Sequence, residues 1–118
     1  MGLRFPVRAV SYRRAGRLVP PQAASLRART VVLKRGAIMD WHSTSAREEL
    51  LLALRGTVDL EWQPAGRSGP RLQRLRAGEC AFLPAHVLHR VVNRSSASAS
   101  YVYVTGPVPS VVGRKACC

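Results

Sequence analysis

The chain has 118 residues, with 19 Lys and Arg against 6 Asp and Glu and a formal net charge of +13. That length suits one domain with its own core and leaves no room for a second. No run of about eighteen apolar residues is available to cross a membrane. Residues 1–20 carry arginines throughout and lack the apolar centre of a secretory signal, so a cytoplasmic protein is expected.

The charge invites a nucleic-acid partner, but seventeen of the nineteen basic residues are Arg, scattered from Arg4 to Arg114. No RNA-binding, zinc-finger or helix-turn-helix pattern accompanies them, and a GC-rich genome produces such a bias unaided. No specific nucleic acid is therefore expected, although the charge can steer an anionic substrate. Three cysteines, Cys80, Cys117 and Cys118, give no disulfide framework and fit a reducing compartment. Cys80 reads as a small buried hydrophobe and the terminal pair as a dispensable tail.

In chain order, residues 3–10 form a candidate edge strand or exchanged arm, because Pro6 argues against a central position. Residues 12–22 are a basic linker closed by Pro20 and Pro21. Strands are expected over residues 27–35 and 37–42, and the polar residues 43–47 turn the chain into a third over 49–54. There Leu51 and Ala53 share the side of Glu49, while Leu50, Leu52 and Leu54 point away. That second leucine row needs cover, which predicts a homodimer or packing under the N-terminal arm.

Residues 57–63 alternate cleanly, with Val58, Leu60 and Trp62 opposite Thr57, Asp59 and Glu61. After a loop over residues 64–70, strands follow at 71–75, 80–83, 89–92 and 101–105, punctuated by Gly78, Pro84 and a Ser-rich loop. Eight to ten short strands without a convincing helix predict an all-β barrel.

Histidine and carboxylate fall at chosen places in this pattern. His42 precedes the 43–47 turn, Glu49 opens the returning strand close to it, and His89 begins a later strand beside a Pro-punctuated corner. Two imidazoles and one carboxylate converging there make a facial triad with open positions, suited to iron(II), manganese or zinc.

The spacing itself is specific. Gly36, five residues, His42, one residue, Thr44, four residues, Glu49, six residues, Gly56 resembles the first cupin motif. Gly78, five residues, Pro84, one residue, His86, two residues, His89, three residues, Asn93 resembles the second. The resemblance implies a jelly-roll barrel over residues 26–106, between an N-terminal arm at 1–25 and a tail at 107–118. It also implies a divalent metal (iron, manganese, zinc or nickel) held inside by His42, Glu49 and His89.

Two positions depart from the motifs. Thr44 stands where a second His is usual, so either it or water completes the metal site. His86 stands where Gly is usual, and reads first as a corner residue with φ > 0 and second as a replacement ligand. The resemblance admits dioxygenase or isomerase chemistry on a small molecule, with Leu51, Phe82 and Val91 as candidate walls. It also admits a non-catalytic module that binds or senses a small molecule.

Overall fold

The computed structural model describes residues 7–64, 66 and 69–109. Among these residues nine strands run in chain order: β1 Gly16–Arg17, β2 Arg27–Leu33, β3 Ile38–Ser43, β4 Arg47–Arg55, β5 Thr57–Trp62, β6 Arg71–Arg76, β7 Cys80–Leu83, β8 Leu88–Val92 and β9 Ala99–Pro107. No helix occurs among the described residues. Two antiparallel sheets face each other, one ordered β1, β2, β9, β4, β7 and the other β3, β8, β5, β6. This is the all-β double-sheet barrel expected from the alternation.

Because side chains alternate across a strand, the pairing register sorts the inner face into rows. In the larger sheet Leu33 pairs with Ala99 and Val31 with Tyr101, which in turn pairs with Ala53. Further along, Arg29, Tyr103 and Leu51 form one row, and Arg27, Thr105, Glu49 and Leu83 the next. The facing sheet runs in parallel from Val58 and Leu75 through Val91 and Leu60 to His42, His89 and Trp62. The barrel is therefore graded: a dry core around Leu33, Ala99, Val58 and Leu75 gives way to a polar, open end.

A single irregularity in β3 sets the direction of His42. Met39 pairs with Val91 and His42 with His89, so β3 spends three residues where β8 spends two. Without that bulge, strict alternation from Met39 would turn His42 outward; with it, His42 joins the inner face.

The outer faces depart from expectation in three ways. Phe82 is no wall of the interior, because Leu83 pairs with inward-facing Glu49 and Phe82 with outward-facing Leu50; Phe82 is 58% exposed. Cys80 pairs with Leu52 on the same outer face and is exposed rather than buried. Residues 12–22 are not merely a linker, since β1 pairs with β2 and Tyr12 contributes a carbonyl to the Thr30 hydroxyl, 2.6 Å away. Residues 7–10 form no strand, and residues 3–6 of the proposed edge strand lie outside the described part.

On the smaller sheet Asp59 and Glu61 face outward as the alternation requires, yet both are buried. Arg74 and Arg94 bridge Asp59 at 2.8 and 3.0 Å, Arg90 bridges Glu61 at 2.7 Å, and Arg94 also reaches Glu61. Arg90 in turn stacks over Trp41, 4.9 Å from the ring centroid. The Arg74 hydrogen bond leads in holding Asp59 below the usual carboxylate range. For Glu61, burial pushes the pKa up, and the Arg94 and Arg90 contacts outweigh it.

Gly56 closes the tight turn between β4 and β5 with φ +71°, and a Cβ there would meet Ser98 O at 3.0 Å and Ala99 Cβ at 3.1 Å. Gly36 has φ +78° but open space around it. Gly56→Ala should therefore cost about 2–4 kcal/mol, strain plus overpacking, and Gly36→Ala only about 1 kcal/mol. Denaturant unfolding of both variants checks the difference; equal losses would contradict the close approach at Gly56.

Candidate metal centre

The three residues singled out by spacing meet at the open end of the barrel. The ligand atoms of His42, Glu49 and His89 lie within 4.8 Å of one another, a grouping that can hold a metal ion. They come from both sheets: β4 supplies Glu49, while β3 and β8 supply the two histidines as a cross-strand pair. The imidazole centroids are 4.2 Å apart with the rings tilted by 56°.

Backbone carbonyls orient both rings. His89 Nδ1 lies 3.0 Å from Val87 O and His42 Nδ1 lies 2.7 Å from Asp40 O, which assigns the proton to Nδ1 in each neutral ring. Each Nε2 then carries a lone pair directed into the cavity. His89 is fully buried, and its Nε2 has no hydrogen-bond partner. The nearest Glu49 oxygen is 3.6 Å away, beyond hydrogen-bond range.

A buried acceptor lone pair facing an acceptor carboxylate is unfavourable unless a proton or a cation sits between them. Burial lowers the His89 pKa, but Glu49 and the Val87 carbonyl outweigh it and raise the net value above that of free imidazole. The donor set, two imidazoles and one carboxylate, suits a divalent transition ion equally well. The residues present fit a metal.

Thr44 does not complete this set. Its hydroxyl donates to Pro84 O at 2.8 Å and accepts the Val87 N–H at 2.9 Å, while its own N–H donates to Val87 O at 3.1 Å. Thr44 thus latches the loop after β3 to the loop before β8, two residues from His42 on one side and two from His89 on the other. His86 sits in the same corner with φ +62°, exposed, its N–H donating to Ser45 O at 2.7 Å. It lines a separate apolar cleft with Trp62 and Leu83 rather than the metal cavity. The corner reading of His86 holds, and it is not a replacement ligand.

Around the three ligands lies a cavity of about 560 Å³, bounded by Met39, Val91, Tyr101 and Tyr103 and reaching Arg27, Arg47 and Thr105 at its mouth. Burial first, then the Glu49 charge, raises the Tyr101 pKa, so its phenol stays protonated at neutral pH. Sequence reading missed the two tyrosines and the two arginines. Alternation over residues 101–105 puts Tyr101 and Tyr103 on one face, and nothing local says which face is inside.

Comparison with known proteins shows the family and the fold. A cupin domain family matches residues 29–105, so the chain belongs to the cupin family. Solved structures with the same fold include an oxalate oxidase (18% identity, TM-score 0.65, covering 70% of this chain and 42% of that one). The Schizosaccharomyces pombe Cnp3 cupin domain is similar as well (13%, TM-score 0.68, 80% and 60%). So is peruvianin-I, a cysteine peptidase from Thevetia peruviana latex (18%, TM-score 0.65, 70% and 51%). This chain spans less than two thirds of each of them. No curated protein matches.

Two substitutions separate structural from ligand roles. Thr44→Val strands the partly buried Val87 N–H and should cost about 1–3 kcal/mol by thermal unfolding. His86→Gly relieves a positive φ and should be neutral or stabilising by up to about 1 kcal/mol, with metal affinity unchanged. A loss of metal affinity in His86→Gly would contradict its exclusion from the ligand set.

Proposed function

We propose that His42, Glu49 and His89 hold a divalent metal ion and that a small molecule binds beside it in the cavity, in chemistry of the dioxygenase or isomerase type. The unpartnered, fully buried Nε2 of His89, 3.6 Å from Glu49, carries this reading. Bound iron, manganese, zinc or nickel supplies Lewis acidity and open positions for a bidentate ligand. The protein supplies the rest. Val91 and Met39 keep bulk water from the inner wall, with Leu51 in the core rather than on the cavity lining, Val87 and Asp40 fix the two imidazole tautomers, and the neutral Tyr101 phenol offers a hydrogen-bond donor to the bound molecule.

A second reading, a cupin that binds or senses a small molecule without chemistry, is favoured by one observation. Thr44 is committed to its latch, which leaves three protein ligands and a weaker site than four would give. Oxygen uptake and isomerisation assays on metal-loaded protein separate the two readings.

Elemental analysis of protein purified without chelator or nickel resin tests the site itself. The wild type should carry close to one metal per chain, and His89→Ala and Glu49→Gln should carry little. Protons and metal compete for His89 Nε2, and Glu49 raises that nitrogen's pKa, so metal affinity should fall as pH drops through the raised value. A wild type without metal even after reconstitution, or an affinity independent of pH, contradicts the proposal.

The reading extends to a homodimer formed through the outer face of the larger sheet. There Phe82, Leu50 and Val104 form one cross-strand row, and Cys80, Leu52 and Val102 the next. Tyr12 and Arg13 line a cleft only at the far end of this face, beside Val32 and Leu54, leaving Leu50 and Phe82 exposed. Light scattering should report a dimer for the wild type and a monomer that still holds metal for Phe82→Asp; a monomeric wild type contradicts it.

A further inference from the structure

The mouth of the metal cavity is basic, and its charges have little to neutralise them. Cross-strand pairing puts Arg27, Thr105 and Glu49 side by side in one inner row of β2, β9 and β4, so Arg27 stands two strands from the carboxylate, roughly 10 Å along the sheet. Arg47, one inner position before Glu49 on β4, is pinned over the same mouth. Its Nε donates to the Thr105 hydroxyl at 2.8 Å and its Nη2 to Thr105 O at 3.0 Å and to Ser25 O. All three acceptors are neutral.

Arg27 makes no ion pair or side-chain hydrogen bond among the described residues. The two guanidinium groups are close enough that Arg27, after desolvation, lowers the Arg47 pKa. An arginine does not give up its proton under such pressure, so the repulsion remains in the fold. The other carboxylate at the cavity, Asp40, sits on the facing sheet and accepts the Trp41 N–H at 2.7 Å.

Beyond the mouth the basic surface continues. Arg27, Arg47 and Tyr103 also line an adjoining groove of about 380 Å³, together with Arg17 and Arg29 and no acidic residue. Unneutralised guanidinium groups beside a ligand pocket, one of them held in place by its hydrogen bonds, provide a site for bidentate recognition of carboxylate.

Resting on the metal-binding reading, we propose that the cavity selects a small organic dianion, one carboxylate directed to the metal and the other held by Arg27 and Arg47. This gives part of the +13 net charge a local function: it draws the ligand in and fixes which end faces the metal. Monoanions use only one of the two anchors, and neutral analogues use neither.

Calorimetric titration with malonate, acetate and malonamide tests this, on zinc-loaded and on metal-free protein, for the wild type, Arg27→Gln and Arg47→Gln. Malonate should bind the loaded wild type roughly tenfold or more tighter than acetate, and malonamide should show no measurable binding. Arg27→Gln should lose roughly tenfold in malonate affinity with zinc content and thermal stability unchanged, because Arg27 holds no protein partner. Arg47→Gln should lose at least as much and also some stability. In metal-free protein a weaker malonate affinity should remain and should still depend on Arg27.

Unchanged malonate binding by Arg27→Gln that still holds zinc overturns the dianion proposal and leaves the metal site standing. A wild type that takes up no zinc overturns the metal reading instead. The metal-free arm then decides the arginines alone: malonate binding lost in Arg27→Gln supports the anion site, and binding indifferent to Arg27, or absent in the wild type, overturns it.

Discussion

An imidazole nitrogen with a lone pair and a carboxylate oxygen, both buried, lie 3.6 Å apart near the open end of the barrel, with no donor between them. Such a pair costs about 1–3 kcal/mol while it stays uncompensated. Several parts of the fold hold it in place all the same. The Val87 carbonyl fixes the His89 tautomer, the Thr44 latch fixes Val87, and the β4 register fixes Glu49 opposite Thr105 and Leu83. Rigid support for an unfavourable contact is what a pre-organised cation site requires, because the ion then meets ligands already ordered.

The surrounding barrel follows from the same register. Rows of Leu, Val and Ala at one end supply the dry core that stabilises the two sheets, and the same strands, two and four residues further along, carry Glu49, His89, Thr105 and Arg27. Stability and site are thus at opposite ends of shared strands. Asp59, Glu61 and their three arginines close the outside of the smaller sheet, so its polar face contributes ion pairs rather than a merely solvated surface. Their guanidinium groups are partly exposed, which limits each pair to a modest share of the stability.

Much of this was legible in the sequence because it is local. Alternation, apolar runs and turn residues together located eight of the nine strands among the described residues, and motif spacing singled out His42, Glu49 and His89 before their convergence was visible. What stayed hidden depends on phase and on distant pairing. Alternation showed that Leu50 and Leu51 face opposite ways, but Phe82 and Cys80 could be assigned a side only once β7 was registered against β4. The bulge that turns His42 inward leaves no composition signal in Asp40 and Trp41. Thr44 suggested a missing ligand by its position, whereas its role is set by Pro84 and Val87, some forty residues away. The pairing of β2 with β9 brought Arg27 to the mouth, and nothing near Arg27 in the sequence announces that.

Anomalous diffraction at the metal edge, on crystals of protein loaded with zinc, tests the central claim most directly. The account predicts one peak about 2.0–2.2 Å from His42 Nε2, His89 Nε2 and a Glu49 oxygen, with no bond to Thr44 or His86. A peak elsewhere, or His89 Nε2 bonded only to a protonated Glu49 in fully loaded crystals, would contradict it.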